Sequence, residues 1–154
     1  MTPPAALDQQ LCFALYAAAR ATQQVYRPML DELDLTYPQY LVLLALWERD
    51  GLTVSDLGER LYLDSGTLSP LLRRLETRGA VERRRTSADG RQVTVHLTDV
   101  GLALRAPCRG VQEHLIARSQ RGQDDALAPD DLDTLRDLAR RLVADLTTTT
   151  KEHH

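Results

Sequence analysis

A chain of 154 residues, 43% hydrophobic and 27% charged, is long enough to bury a modest core and is expected to form one ordinary globular domain. No apolar run approaches the roughly 18 to 20 residues of a membrane span, and the start, Met1-Thr2-Pro3-Pro4, lacks the features of a signal peptide, so a cytoplasmic location without membrane contact is expected. Two cysteines are too few for a disulfide framework and lack zinc-ligand spacing, so both are expected as thiols, with no metal or cofactor.

The net charge of −3 argues mildly against a nucleic-acid partner until its distribution is considered. Between Arg73 and Arg91 stand seven arginines (Arg73, Arg74, Arg78, Arg83, Arg84, Arg85, Arg91) against Glu76, Glu82 and Asp89, a local balance of +4 on an otherwise acidic chain. A basic block on an acidic body suits a single face that meets phosphate, and Arg73 and Arg84 are the candidate contacts within it. A solvated arginine-rich helix and hairpin accounts for the same charges without DNA.

In chain order, Leu7, Leu11, Leu15 and Ala18 recur at helical spacing, which predicts an amphipathic helix from about Ala5 to Val25. Cys12 and Tyr16 flank that stripe. Pro28 is expected to punctuate the helix, and Met29 to Leu33 to form a short separate piece. Thr36-Tyr37-Pro38 then opens a nearly all-apolar helix, Pro38 to Arg49, which Asp50-Gly51 stops.

Thr53-Val54-Ser55-Asp56 supplies a cap for a helix to about Leu61, and Asp64 can cap a second from Ser65 to Arg78, ended by Gly79. Two short helices across a tight turn make a helix-turn-helix, whose second helix enters the major groove N-terminus first. The leading residues here are Ser65, Gly66, Thr67 and Ser69, small and polar. Pro70 should weaken the second turn, its clash falling on Gly66, the residue best able to yield. Val81 to Thr86 and Val93 to Thr98 alternate around an Asp89-Gly90 turn, which predicts a hairpin, and a hairpin after a recognition helix is a wing. Arg91, near its tip, is suited to a narrow minor groove. A surface arginine paired with Asp89 is the plainer alternative.

From Asp99 to Leu146 helical spacing returns. Leu132, Leu135, Leu138, Ala139, Leu142 and Leu146 form a stripe expected to pack against the first helix and its counterpart in a second subunit. A dimer suits DNA, since two recognition helices about 34 to 36 Å apart read successive major grooves of a palindrome. Thr147 to His154 reads as a polar tail, with His153-His154 not taken as a metal site.

These residues resemble the MarR-type winged-helix repressors, and within them the organic hydroperoxide regulators called OhrR. The resemblance runs from Leu7 to Leu104 and rests on Leu11-Cys12-Phe13 with Leu15-Tyr16, Tyr26-Arg27-Pro28, Leu35-Thr36-Tyr37-Pro38-Gln39-Tyr40, Leu61-Tyr62-Leu63-Asp64-Ser65-Gly66-Thr67-Leu68 and Asp89-Gly90-Arg91. It implies a mainly α fold with a small β-wing: one MarR-type domain over 1–154, with dimerisation helices at 5–35 and 99–146 and a winged DNA-binding lobe at 36–98. It also implies a repressor, not an enzyme, that binds double-stranded DNA as a homodimer and leaves its operator when an organic hydroperoxide oxidises Cys12.

Carried over by residue, Cys12 is the peroxidatic thiol. Tyr26 and Tyr37 are phenols that hydrogen-bond its sulfur from the other subunit, and Tyr16 belongs to the same pocket. Ser65, Gly66 and Thr67 open the recognition helix, and Asp89 and Arg91 belong to the wing. Chemistry supports the pattern: a thiolate in an apolar site needs a donor, no Lys, Arg or His lies within two turns of Cys12, and phenolic O–H groups meet the need. Leu11, Phe13 and Leu15 would favour a greasy peroxide. The resulting sulfenic acid can condense with a small cellular thiol or with a second cysteine. Cys108 precedes Gly110-Val111-Gln112-Glu113, whereas family members using a second cysteine carry it after such a stretch, so a mixed disulfide with a small thiol is expected and Cys108 is read as structural. A repressor released by a phenolic ligand, with Cys12 a spectator, and a thiol peroxidase remain as alternatives.

Overall fold

The computed structural model describes residues 6–86, 90–120 and 127–151, with side chains described as far as Thr148. The chain forms two compact units, Met1–Val111 and Gln112–His154. Among the described residues no helix is long and apolar enough to cross a membrane.

The first unit opens with a 3₁₀ turn, Leu7–Gln9, followed by α1 (Leu11–Glu32). The helix therefore starts later than its apolar spacing predicts, because Gln10 is extended and separates the two pieces. It also runs straight past Pro28, where a break was expected. Proline costs one backbone bond but its fixed φ is helical, and burial of Tyr26 and Leu30 on either side holds the turn closed.

Helix α2 (Tyr37–Glu48) begins at a capping box: the Thr36 N–H donates to Gln39 Oε1 at 2.9 Å, and the Gln39 N–H to Thr36 Oγ1 at 3.4 Å. Its apolar faces are almost all used, since Tyr40, Val42, Leu43, Ala45 and Leu46 are buried. Around this central helix stand β1 (Leu52–Thr53), α3 (Val54–Leu61), α4 (Ser65–Thr77), β2 (Val81–Arg85), β3 (Val93–Leu97) and α5 (Asp99–Ala103). The hairpin of β2 and β3 pairs Val81 with Leu97 and Arg85 with Val93. Strand β1 adds a third, antiparallel member, with Leu52 opposite Val95, so the sheet order is β1-β3-β2.

Helix α5 packs at a point of close backbone approach. A Cβ on Gly101 would run into the Ala80 carbonyl oxygen and lie 3.0 Å from the Leu97 side chain. That closeness lets Trp47 Nε1 donate to the Gly101 carbonyl at 3.0 Å, which ties α2 to α5.

Helix α6 (Gly110–Ser119) begins in the first unit, where Val111 is fully buried, and α7 (Pro129–Lys151) belongs to the second. Half of the stripe on α7 is exposed in the single chain, namely Leu135, Leu138 and Leu146, while Leu132, Ala139 and Leu142 are half-buried. The tail expected from Thr147 onward instead continues the helix to Lys151, with the Thr147 and Thr148 hydroxyls each donating at 2.8 Å to carbonyls four residues back. His153-His154 lies outside the described residues.

Because Gly101 touches backbone rather than a yielding side chain, Gly101→Ala is expected to destabilise the first unit by about 1–3 kcal/mol. A lowered urea midpoint with unchanged slope would register this.

Candidate functional site

The two helices α3 and α4 meet through Tyr62-Leu63-Asp64. Tyr62 takes a left-handed conformation, φ +54, and is 72% exposed. A Cβ on Gly58 would stand 2.9 Å from the Leu63 carbonyl, so the turn closes this tightly only over glycine. Asp64 caps α4: its Oδ1 accepts the Thr67 N–H at 2.8 Å and its Oδ2 the Thr67 hydroxyl at 3.2 Å. These bonds from Thr67 hold the Asp64 carboxyl below the usual carboxylate range.

On α4, Leu68, Leu72 and Leu75 face inward. Ser65, Gly66, Thr67 and Arg73 are exposed, and Ser69 is half-buried, so the polar residues expected to read DNA do lie at the surface of one helix. The helix also runs through Pro70 to Thr77 without a break. A Cβ on Gly66 would sit 3.1 Å from Asp64 Oδ1, so this glycine leaves room for the cap.

Arg91 is exposed beside Gly90, which turns the chain at φ +68. Asp89, the other wing residue singled out, lies outside the described residues. Arg91, Gln92 and Val93 share a cleft of about 640 Å³ with Arg83 and the start of α3, Thr53 to Ser55. Several arginines of the basic block are internally paired: Arg83 Nε donates to Glu76 Oε2 at 2.8 Å, and Arg84 Nε to Glu82 Oε1 at 2.7 Å.

The two phenols assigned by resemblance meet. Tyr26, from α1, and Tyr37, at the start of α2, stack with ring centroids 5.5 Å apart and planes 17° from parallel. Tyr37 in turn approaches Tyr40 at 6.2 Å, and Tyr40 approaches Trp47 at 6.4 Å, an aromatic row the sequence reading did not assemble. Burial raises both Tyr26 and Tyr37 above the ordinary phenol value, with Tyr37 adding to the effect on Tyr26, so both remain protonated donors at neutral pH. Tyr40 is pushed up to about 12 by burial first, with Cys108 and the neighbouring phenols contributing.

Tyr16 is elsewhere. It is 55% exposed, and Arg20, one turn on, donates to its hydroxyl at 3.0 Å with the guanidinium 5.6 Å from the ring centre. Cys12 is exposed in the single chain, so the apolar site expected around it is not built by this copy. It shares one unbroken helix with Tyr26, fourteen residues away, a separation of about 21 Å. Cys108 is buried, and burial pushes its thiol up, which fits the structural role expected of it.

A helix-turn-helix followed by a three-stranded wing, with small polar residues leading an exposed second helix, defines a winged-helix DNA-binding module. Residues 24–104 match the family described as transcriptional regulator SarA/Rot. The organic hydroperoxide resistance transcriptional regulator of Bacillus subtilis (strain 168) is 45% identical over 119 residues, 77% of this chain and 81% of that protein. The regulator TtmR of Methylorubrum extorquens (strain PA1) is 59% identical over 102 residues, 66% of this chain but only 52% of TtmR, so the match spans about half of that relative. Among solved structures, reduced AbfR bound to DNA superposes with a TM-score of 0.71 at 36% identity, covering 91% of this chain and 94% of that one. AbfR, from Staphylococcus epidermidis, has also been solved overoxidised on DNA and in a disulfide-formed state. The chain belongs to the SarA/Rot family of MarR-like winged-helix transcriptional regulators. It is thus a DNA-binding regulator, and its relatives are regulators rather than enzymes.

Two outcomes follow from this geometry. Tyr40 has a folded pKa above its unfolded value, so the stability it contributes is intact below pH 10.0 and lost as pH rises toward about 12. Melting temperature should fall across that window, and less so for Tyr40→Phe. If Arg91 enters a groove, Arg91→Ala should weaken DNA binding by about 1–3 kcal/mol with melting unchanged, and wild-type affinity should drop steeply with salt. Unchanged affinity in a filter-binding or anisotropy titration would remove the wing tip from the interface.

Proposed function

We propose that this protein is a cytoplasmic homodimeric repressor of a palindromic operator, and that organic hydroperoxides release it by oxidising Cys12. The Tyr26–Tyr37 stack carries the reading. It offers two protonated O–H donors from neighbouring helices at one place, and α1 holds them too far from their own Cys12 to serve it, so they suit the thiol of a second copy.

In the proposed reaction the Cys12 thiolate attacks the distal peroxide oxygen, the O–O bond breaks, and sulfur is oxidised by two electrons to sulfenic acid while the peroxide leaves as alcohol. Phenolic donors stabilise the thiolate without admitting water. A small cellular thiol then condenses with the sulfenic acid, forming a mixed disulfide and releasing water. Overoxidised AbfR is bound to DNA in one of its structures, which favours the bulkier disulfide, rather than sulfur oxidation alone, as the releasing state here. Ser65, Gly66, Thr67, Ser69, Arg73, Arg84 and Arg91 are the proposed DNA contacts of each copy, with Asp89 aiming the wing.

A cleft of about 540 Å³ beside Tyr37, lined in part by Arg20, Gln23, Arg27 and Asp31, favours a second reading in which a phenolic ligand releases DNA. The two separate on one variant. Cys12→Ser keeps a small polar side chain but forms no sulfenic acid, so it should bind operator as wild type does and ignore organic hydroperoxide with a small thiol present. Release of that variant by peroxide would overturn the Cys12 reading. Tyr26→Phe and Tyr37→Phe remove one O–H each with little volume, so folding and reduced-state DNA affinity should persist while alkylation and peroxide oxidation of Cys12 slow. Unaltered rates would dismiss the phenols.

A further inference from the structure

Arg78 stands where two helices end. It caps the C-terminus of α4, and its guanidinium reaches across to α1, donating from Nη2 to the Leu33 carbonyl and from Nη1 to the Asp34 carbonyl. The Asp34 carboxylate lies 3.7 Å from Nη1. Leu33 is the C-cap of α1, so these acceptors sit at the negative end of that helix dipole, where a cation is favoured. Among the described residues, the hydrogen bonds joining α4 to the end of α1 all come from this side chain.

What surrounds the contact makes it mechanical. A cleft of about 530 Å³, lined in part by Asp34, Leu35, Gln39, Arg74 and Arg78, opens at the same seam, so the two helix ends are spanned there by a polar bridge beside a gap. Apolar packing is non-directional and tolerates sliding. A planar guanidinium on two successive carbonyls fixes both distance and direction, and lysine, with one point charge, cannot reproduce it. Helix α1 carries Cys12 and Tyr26, and α4 carries the groove-reading residues.

The geometry points to Arg78 as the strut between sensor and reader: a positioning residue that passes displacement of the end of α1 to the recognition helix. It rests on the peroxide-release reading above. In this account oxidation moves α1 through the Tyr26–Tyr37 stack, the carbonyls of Leu33 and Asp34 move with it, and α4 is turned by a bond rather than by diffuse repacking. In this proposal Arg78 acts through the ends of α1 and α4, not on the Cys12 sulfur or on the groove.

The test compares operator affinity before and after treatment with cumene hydroperoxide and cysteine, reading the ratio of the two rather than either alone. Wild type should release by a large factor. Arg78→Met should bind within about threefold of wild type when reduced, yet release by a factor about tenfold smaller, the size of an ordinary coupling energy. Arg78→Lys should fall between them, and keeps the test alive if the methionine variant does not fold. Arg60→Met, which breaks the Arg60–Glu48 pair of the same unit, should leave the ratio at the wild-type value. An Arg78→Met protein, or failing that Arg78→Lys, that releases by the wild-type factor, or weakens equally in both states, overturns the strut. If wild type itself does not release, the peroxide reading fails, and the strut falls with it.

Discussion

The unbroken length of α1 is the constraint on which the proposed sensor depends. An α-helix rises 1.5 Å per residue, so Cys12 and Tyr26 are held about 21 Å apart, and no rotamer change shortens that distance. A thiol that needs those phenols must obtain them from another copy. The same rigidity suits the helix to the proposed lever, since one end carries Cys12 and the other is joined to α4 through Arg78. Had Pro28 broken the helix, neither argument would hold.

Much of the DNA-binding lobe is legible in the residues because its punctuation is local. Thr53 and Asp64 cap their helices as read, Gly79 turns at φ +76, and the strand pairing follows from alternation around Asp89-Gly90. Strand β1 escaped notice because Leu52-Thr53 is too short to alternate, and only its pairing with Val95 and Thr94 defines it. Proline rules pointed to a stop at Pro28, but tertiary burial of Tyr26 and Leu30 overrode them. The meeting of Tyr26 with Tyr37 was legible only through resemblance, since nothing in spacing tells which residues of two helices will stack. In the sequence Arg78 is one of the seven arginines of the basic block. Its role in the fold is set by two backbone carbonyls more than forty positions away, which no local pattern encodes.

The basic block also differs in the folded chain from what its composition suggests. Arg83 and Arg84 are paired with Glu76 and Glu82. Exposed pairs of this kind are worth only about 0–1 kcal/mol, so exchanging Glu82 for a phosphate costs Arg84 little. Arg83 is held more firmly, since Glu76 also accepts its backbone N–H at 3.2 Å, which suits a wall of the cleft beside Arg91 rather than a mobile phosphate contact. In the proposed interface, specificity rests with the small polar start of α4 and the wing tip, and the block supplies the electrostatic approach.

The central claim is that Cys12 of one copy lies against Tyr26 and Tyr37 of another. A Tyr37→Cys variant in a Cys108→Ser background tests it with a short bis-maleimide crosslinker, which replaces the reach of the lost phenol, since a phenol donating to a sulfur holds the two Cα atoms beyond the roughly 7 Å that a direct disulfide allows. Two isotopically distinguished preparations would be mixed, allowed to exchange, treated with the crosslinker and digested. The account predicts a covalent dimer in which the Cys12 peptide of one isotope is joined to the residue-37 peptide of the other. A Cys12–residue 37 link confined to peptides of one chain, or covalent dimers that never contain this link, would contradict it.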